Sequence, residues 1–275
     1  PQRLVIVSNN IKSKEMSELM KISEKNGMKL GRAPALNEVL DGSNSSLVRE
    51  ISLEDLLGRR QNRLNTKQIS QLINNKVILI TGAGGSIGSK LAKKISNLSP
   101  SKLVMLDLSE NAIYNLKAAF GDNRNEDKNV FLCSNIRNKN EMEKIFSRFK
   151  PDIIFHAGAL KHVSICEENI SEAIRTNVLA TAVLADLAIK FSSTCFVQIS
   201  TDKAVEPSSV MGLTKKLAEI IMQAKDKLSK NNTRFITVRF GNVLDSSGSV
   251  IPKFRQQIKD GGPITLTHQN VTRFF

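Results

Sequence analysis

The sequence predicts an α/β fold: a doubly wound parallel (Rossmann) sheet with a small, incomplete C-terminal part and an N-terminal appendage. The first observation is the apolar, mostly β-branched run at residues 77–80, which is typical of a buried parallel strand. The second is the helical spacing of Ile87, Leu91 and Ile95 directly after a glycine-rich turn. The third is that apolar runs alternate with amphipathic stretches as far as residue 240, as in βαβ units.

The elements follow from these patterns in chain order. In the N-terminal part, the residue pattern predicts strands at 3–7 and 48–51 and helices near 16–23 and 66–73, with loops between them. After the strand at 77–80 and the helix at 86–96, the predicted strands are 102–106, 130–133, 153–156, 195–199 and 235–240. The helices between them are predicted at 111–120, 141–149, 172–189 and 212–228.

The glycine turn predicts a phosphate cradle. Gly82, Gly85 and Gly88 permit a tight turn and a close approach of backbone to a pyrophosphate, and Ser86 and Ile87 open the following helix. A plain strand-to-helix turn is the other interpretation of such glycines. The strand before them and the helix after them favour the cradle.

Asp107 ends the second strand of this unit, about twenty residues after the turn. A carboxylate at this place accepts both hydroxyls of an adenosine ribose and repels a 2′-phosphate. A solvated strand-end aspartate is the alternative. Following a cradle, Asp107 favours NAD as the cofactor, in preference to NADP.

Composition narrows the partners and the compartment. The net charge of +14 favours anionic partners, but the basic residues are spread along the chain and aromatics are only 5%, which argues against nucleic acid. No apolar run reaches the ~18 residues of a membrane helix. Cys133, Cys166 and Cys195 lack metal-ligand spacing, so we expect cytosolic thiols and no metal site.

The fourth strand ends in His156, followed by small residues at Ala157 and Ala159 that would let a cofactor pass closely. Lys161 and His162 come next and could meet a phosphate or a sugar. For His156 itself, a packed core histidine is the favoured interpretation.

The fifth strand ends in a hydroxyl, an acid and an amine, at Thr201, Asp202 and Lys203. Met211 and Lys215 follow, four residues apart, and therefore share one face of the next helix. A helix-capping group with solvated lysines would explain the same residues. Because ligands bind beyond the carboxyl ends of parallel strands, the cradle favours a catalytic site.

The longer motifs are TGAGGSIGS (81–89), ALKHV (159–163), EAIRTNV (172–178), ISTDKAVEPSSVMGLTKK (199–216), VRFGNVL (238–244) and SSGSVIPKF (246–254). With these motifs the chain resembles the extended short-chain dehydrogenase/reductases. It is most similar to the bacterial nucleotide-sugar 4,6-dehydratases of polysaccharide and glycan synthesis, whose usual substrate is UDP-N-acetylglucosamine. The resemblance covers nearly everything from residue 52 onward.

The resemblance assigns roles to residues at the matching positions. It implies cofactor contacts at Gly82, Gly85, Ser86, Ile87, Gly88, Asp107, Asn135, Ile136, Ala157, Ala159 and Lys215. It implies substrate contacts at Lys161, His162, Asn242, Ser249, Val250, Lys253 and Arg273. The implied catalytic residues are Thr201, Asp202, Lys203, Met211 and Lys215. Met211 stands where the wider superfamily has a tyrosine base. A thioether cannot deprotonate a hydroxyl, so Met211 cannot replace that base. The large dehydratases often carry Met at this position, so the residue indicates a resemblance to that subgroup.

The resemblance also implies a reaction. NAD⁺ takes hydride from sugar carbon 4, water is eliminated across carbons 5 and 6, and hydride returns to carbon 6. Lys203 would remove the carbon-5 proton, and Asp202 would protonate the departing hydroxyl. Thr201 would bond the carbon-4 oxygen and Lys215 the nicotinamide ribose. Water and Asp202 both remain open as acceptors of the carbon-4 hydroxyl proton.

The expected organisation follows that of the large relatives. Residues 1–50 are expected to be the end of an upstream Rossmann-like domain or an appendage, and 51–75 a linker with a helix. Residues 76–241 are the NAD-binding domain, and 242–275 begin a truncated substrate-binding region. The resemblance further implies a homo-oligomer in the cytoplasm, with a membrane tether in a missing upstream segment.

Three alternatives remain open at this point. A UDP-sugar 4-epimerase shares the first oxidation but does not need the Asp202–Lys203 pair. A non-catalytic nucleotide-binding regulator would fit the early end of the chain and Asp245, whose charge lies near the expected diphosphate. A basic nucleic-acid binder is the most distant.

Overall fold

The computed structural model describes residues 2–8, 11, 13–33, 48–51, 65–121, 127–228, 233–243 and 250–266. The chain divides into two compact units, Pro1–Leu64 and Asn65–Phe275. The described helices include none that is long and apolar enough to cross a membrane.

The first unit holds a small sheet and one described helix. Its elements are β1 (Arg3–Ile6), α1 (Ser13–Lys25), β2 (Lys29–Arg32) and β3 (Arg49–Glu50). The sheet order is β1-β2-β3, with β1 parallel and β3 antiparallel to β2. Ile6 and Met16 are buried in this unit. Gly27, at φ +62°, permits the sharp turn that leads from α1 into β2.

The second unit carries the predicted doubly wound sheet. Its elements are α2 (Thr66–Ile73), β4 (Val77–Thr81), α3 (Ser86–Ser96), β5 (Lys102–Asp107), α4 (Glu110–Phe120), β6 (Asn129–Cys133), α5 (Lys139–Phe149), β7 (Ile153–His156), α6 (Val163–Glu168), α7 (Ile170–Ile174), α8 (Ala180–Lys190), β8 (Cys195–Ile199), α9 (Val210–Leu228), β9 (Arg234–Val238) and α10 (Val250–Lys259). The six strands are all parallel, in the order β6-β5-β4-β7-β8-β9. The order reverses between β4 and β7, which is where ligands bind in such sheets. The predicted fold class is therefore confirmed.

Alternate residues of the central strands face opposite layers of helices. Leu79, Val104, Ile154 and Phe196 pack on one side in a cluster that includes Leu184 of α8. Ile78, Ile80, Leu103 and Met105 pack on the other side in a cluster that includes Ala92 and Ile95 of α3. With both faces covered, the strands read as continuous apolar runs, as the sequence showed.

The helix predicted at 172–189 is interrupted. α7 ends at Ile174, a π-helical turn occupies Arg175–Leu179, and α8 follows from Ala180. Single π turns inside helices are frequent at functional sites. Here the turn carries Asn177, whose buried amide bonds to a neighbouring loop described below. The strand predicted at 235–240 also ends earlier, at Val238.

Candidate active site

The turn between β4 and α3 has no room for a side chain at Gly82 or at Gly88. Gly82 has φ +65°, and a Cβ there would lie 2.6 Å from the backbone N of Gly158. A Cβ on Gly88 would overlap the carbonyl oxygen of Gly82. α3 begins at Ser86, directly after its N-cap Gly85, and has no acidic residue in its first turn. The positive end of α3 therefore lies at a bare backbone turn, which suits a pyrophosphate.

Asp107 lies beside this turn and is held by backbone groups. Its Oδ2 accepts a hydrogen bond from the Gly84 N–H at 3.0 Å, and its Oδ1 accepts one from the Ser109 N–H at 3.0 Å. Each carboxylate oxygen keeps a further lone pair that can accept from a hydroxyl. The turn and the oriented carboxylate together fit a dinucleotide whose adenosine ribose carries no 2′-phosphate.

Asn135 and Ile136 follow β6 on the same side of the sheet. The Asn135 Oδ1 already accepts from the Arg137 N–H at 3.0 Å and from the Arg137 Nε at 3.3 Å. Ile136 is buried. The amide nitrogen of Asn135 is therefore better placed to serve a ligand than its oxygen. A cavity of about 490 Å³ lies next to Asn135 and is lined by Asn135, Arg137, Asn138, Glu172, Arg175, Leu179, Ala180 and Val183.

The segment after β7 is fixed at both ends. The Ala157 N–H donates to the Thr81 carbonyl at 3.0 Å. At the other end the Leu160 N–H donates to Asn177 Oδ1 at 2.8 Å, and Asn177 Nδ2 donates back to the Leu160 carbonyl at 3.0 Å. Asn177 thus holds the segment that carries Ala157 and Ala159. Asn177 is not among the residues predicted for the site, although it lies inside the EAIRTNV motif.

His156 is a packed core histidine, as predicted, and its tautomer follows from its partners. Thr181 donates its hydroxyl proton to the Asn177 carbonyl at 2.8 Å, so His156 Nε2 must donate to Thr181 Oγ1 across 2.9 Å. Nδ1 is then an acceptor for the Thr81 hydroxyl at 2.7 Å. Burial, with a smaller effect of Lys215, lowers the pKa of His156 to about 3. The imidazole is therefore neutral at physiological pH and serves the structure.

The end of β8 brings three of the predicted catalytic residues together. Thr201 donates its hydroxyl to Asp202 Oδ1 at 2.8 Å, and Lys203 Nζ donates to the same oxygen at 3.0 Å. Lys203 Nζ also lies 3.4 Å from Asn242 Oδ1, which joins a predicted substrate residue to the group. The Asp202 and Lys203 side chains are 41% and 37% exposed, so a ligand can reach them.

Asp202 is ionised in this arrangement. Burial raises the pKa of its carboxyl group, but hydrogen bonds from Thr201 and Lys203 oppose this and hold the pKa below its usual value. An acid role therefore requires that a proton reach Asp202 during the reaction.

The predicted pair on α9 is buried. Lys215 is 7% exposed and its Nζ donates to the Ile199 carbonyl at 2.7 Å. Burial lowers the pKa of Lys215 to about 8, and the charge of Glu219 partly counteracts this. Met211 is buried in an apolar cluster with Cys166 and Ala173. It therefore supplies apolar surface and no proton-transfer group.

The remaining predicted residues lie further out or outside the described part. Lys161 and His162 are exposed just before α6, and Lys253 is exposed on α10, whose first residue is the half-buried Val250. Ser249, Asp245 and Arg273 lie outside the described residues, as do residues 52–64 of the predicted linker. Within the described ranges, no cluster of three His, Cys, Asp or Glu side chains could hold a metal ion.

Comparisons with known proteins show which family the chain resembles along its length. The family described as polysaccharide biosynthesis protein matches residues 78–275. The capsular polysaccharide biosynthesis protein CapD of Staphylococcus aureus is 40% identical over 279 residues, covering 100% of this chain and 46% of CapD. The UDP-glucose 4-epimerase of Rickettsia canadensis is 37% identical over 209 residues, covering 73% of this chain and 58% of the epimerase. The chain thus spans about half the length of these curated relatives.

Two solved structures share the architecture. Pen from Bacillus thuringiensis superposes with a TM-score of 0.70 at 33% identity, over 74% of this chain and 63% of Pen. DesIV, the dTDP-glucose 4,6-dehydratase of Streptomyces venezuelae with NAD and TYD bound, gives a TM-score of 0.59 at 21% identity, over 68% of this chain and 63% of DesIV. At that lower identity, DesIV shows the common fold.

The parallel sheet, its glycine turn and the groups at its carboxyl edge define a Rossmann-fold protein of the short-chain dehydrogenase/reductase class. The family match extends from β4 to the end of the chain. The chain belongs to the polysaccharide biosynthesis protein family, which confirms the resemblance found in its motifs.

Proposed function

We propose that this chain carries the catalytic domain of an NAD-dependent nucleotide-sugar 4,6-dehydratase, a lyase that acts on UDP-N-acetylglucosamine for polysaccharide or glycan biosynthesis. The observation that carries the proposal is the contact between Asp202 and Lys203 at the carboxyl end of β8. An adjacent acid and base suit elimination of water across two carbons. Bound NAD⁺ would supply the reversible removal of hydride from carbon 4, with the carbon-4 hydroxyl proton passing to water, and its delivery to carbon 6, with a proton added to carbon 5.

The cofactor would be held by the groups described above. The bare turn at Gly82 and the N-terminus of α3 would take the pyrophosphate, and Asp107 the adenosine ribose. Lys215, whose ammonium group is buried near Ile199, would bond the nicotinamide ribose. Thr201 keeps a lone pair that can accept a hydrogen bond from the carbon-4 hydroxyl while its own hydroxyl donates to Asp202.

The ion pair explains how Lys203 can become a base and Asp202 an acid. Transfer of one proton from the Lys203 ammonium to Asp202, across their 3.0 Å contact, gives a neutral amine and a protonated carboxyl group. The amine then takes the carbon-5 proton, while the carboxyl group protonates the hydroxyl leaving carbon 6 as water. This elimination regenerates the ion pair that the structure contains. Asn242 would keep the Lys203 amine aimed through its 3.4 Å contact.

The direct test is product identification. The chain, or the longer protein that contains it, is incubated with UDP-N-acetylglucosamine and NAD⁺, and the sugar is analysed by NMR. A 4-keto-6-deoxy sugar supports the proposal. A product changed only at carbon 4 contradicts it and supports a UDP-sugar 4-epimerase, the second candidate, which the 37% identity to the Rickettsia canadensis epimerase favours. Tight UDP-sugar binding without any product would support a non-catalytic regulator.

The setting of the domain is also proposed from its relatives. We expect it to work in the cytoplasm as a homo-oligomer that binds a UDP-sugar and no nucleic acid. A membrane tether is also part of the proposal, because a relative from Methanocaldococcus jannaschii that is 42% identical over 209 residues is described as an uncharacterized membrane protein.

A further inference from the structure

The structure contains a buried carboxylate, Glu219 on α9, that the mechanism above does not use. Glu219 is 1% exposed. Its Oε1 accepts from the Ser200 hydroxyl at 2.5 Å and from Arg239 Nε at 2.9 Å, and its Oε2 accepts from Arg239 Nη2. Both oxygens are thus engaged, in a two-pronged arrangement with the guanidinium that fixes orientation as well as charge. We call these three residues the Glu219 clamp.

The Glu219 clamp joins three elements at the point where the site begins. Ser200 follows the last residue of β8 and directly precedes Thr201, while Arg239 follows the last residue of β9. The two strand ends also remain paired, since the Ser200 N–H donates to the Val238 carbonyl at 2.7 Å. The segments that carry Asp202 and Asn242 therefore leave the sheet from positions that the clamp holds to α9.

The clamp also lies next to Lys215. Glu219 is four residues after Lys215, so the two side chains share one face of α9. Lys215 bonds to the Ile199 carbonyl, one residue before the clamp's Ser200. The described groups facing Lys215 are Glu219 on its own helix, the neutral His156 on β7 and the Ile199 carbonyl on β8. Arg239, which directly follows β9, is bound to Glu219. Glu219 is therefore an anion on the same face of α9 whose charge favours the protonated form of Lys215.

We propose that Glu219 is a positioning residue with two separable effects on the active site. Through Ser200 and Arg239 it fixes the Thr201–Lys203 segment against α9, and through its charge it keeps Lys215 protonated for contact with the cofactor ribose. The second effect rests on the proposed function, because that function gives Lys215 its ligand. The direction of this charge effect is the expected one: burial lowers the pKa of Lys215, and the negative charge of Glu219 raises it.

Two variants separate the effects. Glu219→Gln keeps the size of the side chain and removes its charge, whereas Ser200→Ala keeps the charge and removes one hydrogen bond to the strand end. Glu143→Gln is the matched control, because Glu143 is a carboxylate of an ion pair with Lys190 on the surface of α5. Glu219→Asp, which keeps the charge, is used if Glu219→Gln does not fold.

The first readout needs no activity. The protein is labelled with ¹³Cε-lysine, the Lys215 resonance is assigned by its loss in Lys215→Arg, and its titration is followed by NMR. Glu219→Gln should lower the midpoint by about one pH unit, which is typical of the loss of one nearby opposite charge. Ser200→Ala, Glu219→Asp and Glu143→Gln should leave the midpoint close to that of the parent protein. An unchanged midpoint in Glu219→Gln would overturn the charge effect, and so would a shift of equal size in Glu219→Asp.

The second readout concerns the strand end. With UDP-N-acetylglucosamine as substrate, Ser200→Ala should lower kcat about tenfold while the NAD dissociation constant stays constant. Equal kcat in Ser200→Ala and the parent protein would overturn the positioning effect. If the parent protein makes no 4-keto sugar but Glu219→Gln still shifts the Lys215 titration, the proposed function fails and the charge effect stands.

Discussion

The two ends of the catalytic sheet hold their ligand groups in different ways. On the β4–β5 side, the site is a glycine-rich backbone turn and one carboxylate, Asp107. Asp107 is bonded to the backbone of Gly84, 23 residues before it in the chain. On the β8–β9 side, the site is a set of charged side chains, with Asp202 and Lys203 at the edge and Lys215 and Glu219 buried behind them. The first arrangement depends on local geometry, and the second on charges brought together from separate elements. Damage to the first side should therefore impair cofactor binding, and damage to the second should impair chemistry.

The largest effect is expected at Lys203. Lys203→Met removes the amine that would take the carbon-5 proton in the proposed reaction, and a general base of this kind contributes ~100- to 10,000-fold in rate. Turnover should fall by that factor while NAD affinity, measured by calorimetry, stays unchanged. Lys94→Met, on the exposed side of α3, is the control and should keep full turnover. A loss of NAD affinity equal to the loss of turnover would show that the two sides of the sheet are not separable.

The reverse pattern is expected at Gly88. In Gly88→Ala the new methyl group would overlap the Gly82 carbonyl and approach the Ala83 Cα to 2.8 Å, so α3 must move away from the turn. Overpacking of this kind typically destabilises by ~1–3 kcal/mol, and here it displaces the pyrophosphate site. NAD affinity should fall at least about tenfold in Gly88→Ala. The control Lys93→Ala, on the same helix, should leave NAD affinity unchanged. A full-affinity Gly88→Ala would refute the cradle.

His156 lies between the two sides and should make stability depend on pH. Its pKa is about 3 in the folded protein and 6.5 when exposed, so below pH 6.5 the unfolded chain binds a proton that the folded chain does not. The contribution of neutral His156 to the free energy of unfolding is therefore complete above pH 6.5 and is lost as the pH falls toward 3. Between pH 7.5 and pH 5 the free energy of unfolding should fall by about 2 kcal/mol from this source. Urea unfolding of His156→Gln should lack that part of the slope, whereas the exposed His162→Gln should retain it.

The smallest change is expected at Asp107. Asp107→Ala removes the groups proposed to accept the ribose hydroxyls and also the expected repulsion of a 2′-phosphate. The preference for NAD over NADP should narrow by about tenfold, with turnover at saturating NAD unchanged. Asp186→Ala, at an exposed position on α8, serves as the control. If the parent protein binds NADP more tightly than NAD, Asp107 does not have the role proposed for it.

The same difference between the two sides explains what could be predicted from the sequence. The glycine turn and Asp107 lie within one strand–helix–strand unit, where spacing along the chain fixes geometry, so a local pattern was sufficient. The Thr201–Lys203 group was also found, because its members are adjacent. The structure added the contact with Asn242, 39 residues away from Lys203.

The buried polar groups behind the site could not be predicted in this way. Asn177, Glu219 and Arg239 act on partners 17 to 20 residues distant, through contacts that only the packed helices create. Glu219 had one usable signal, its spacing of four from Lys215 on a helix predicted to face the sheet. The π turn at Arg175–Leu179 had no signal in the sequence, because the apolar residues of the helix that it interrupts are spaced as in a continuous helix.

The central claim is that Asp202 and Lys203 eliminate water from the sugar, and the most direct measurement is the position of deuterium in the product. The reaction is run in heavy water with UDP-N-acetylglucosamine and NAD⁺, and the sugar is examined by NMR. Because the proton removed from carbon 5 is replaced from exchangeable sites, the account predicts deuterium at carbon 5 together with a deoxygenated carbon 6. A sugar altered at carbon 4, with carbon 6 still hydroxylated and no deuterium at carbon 5, would contradict it.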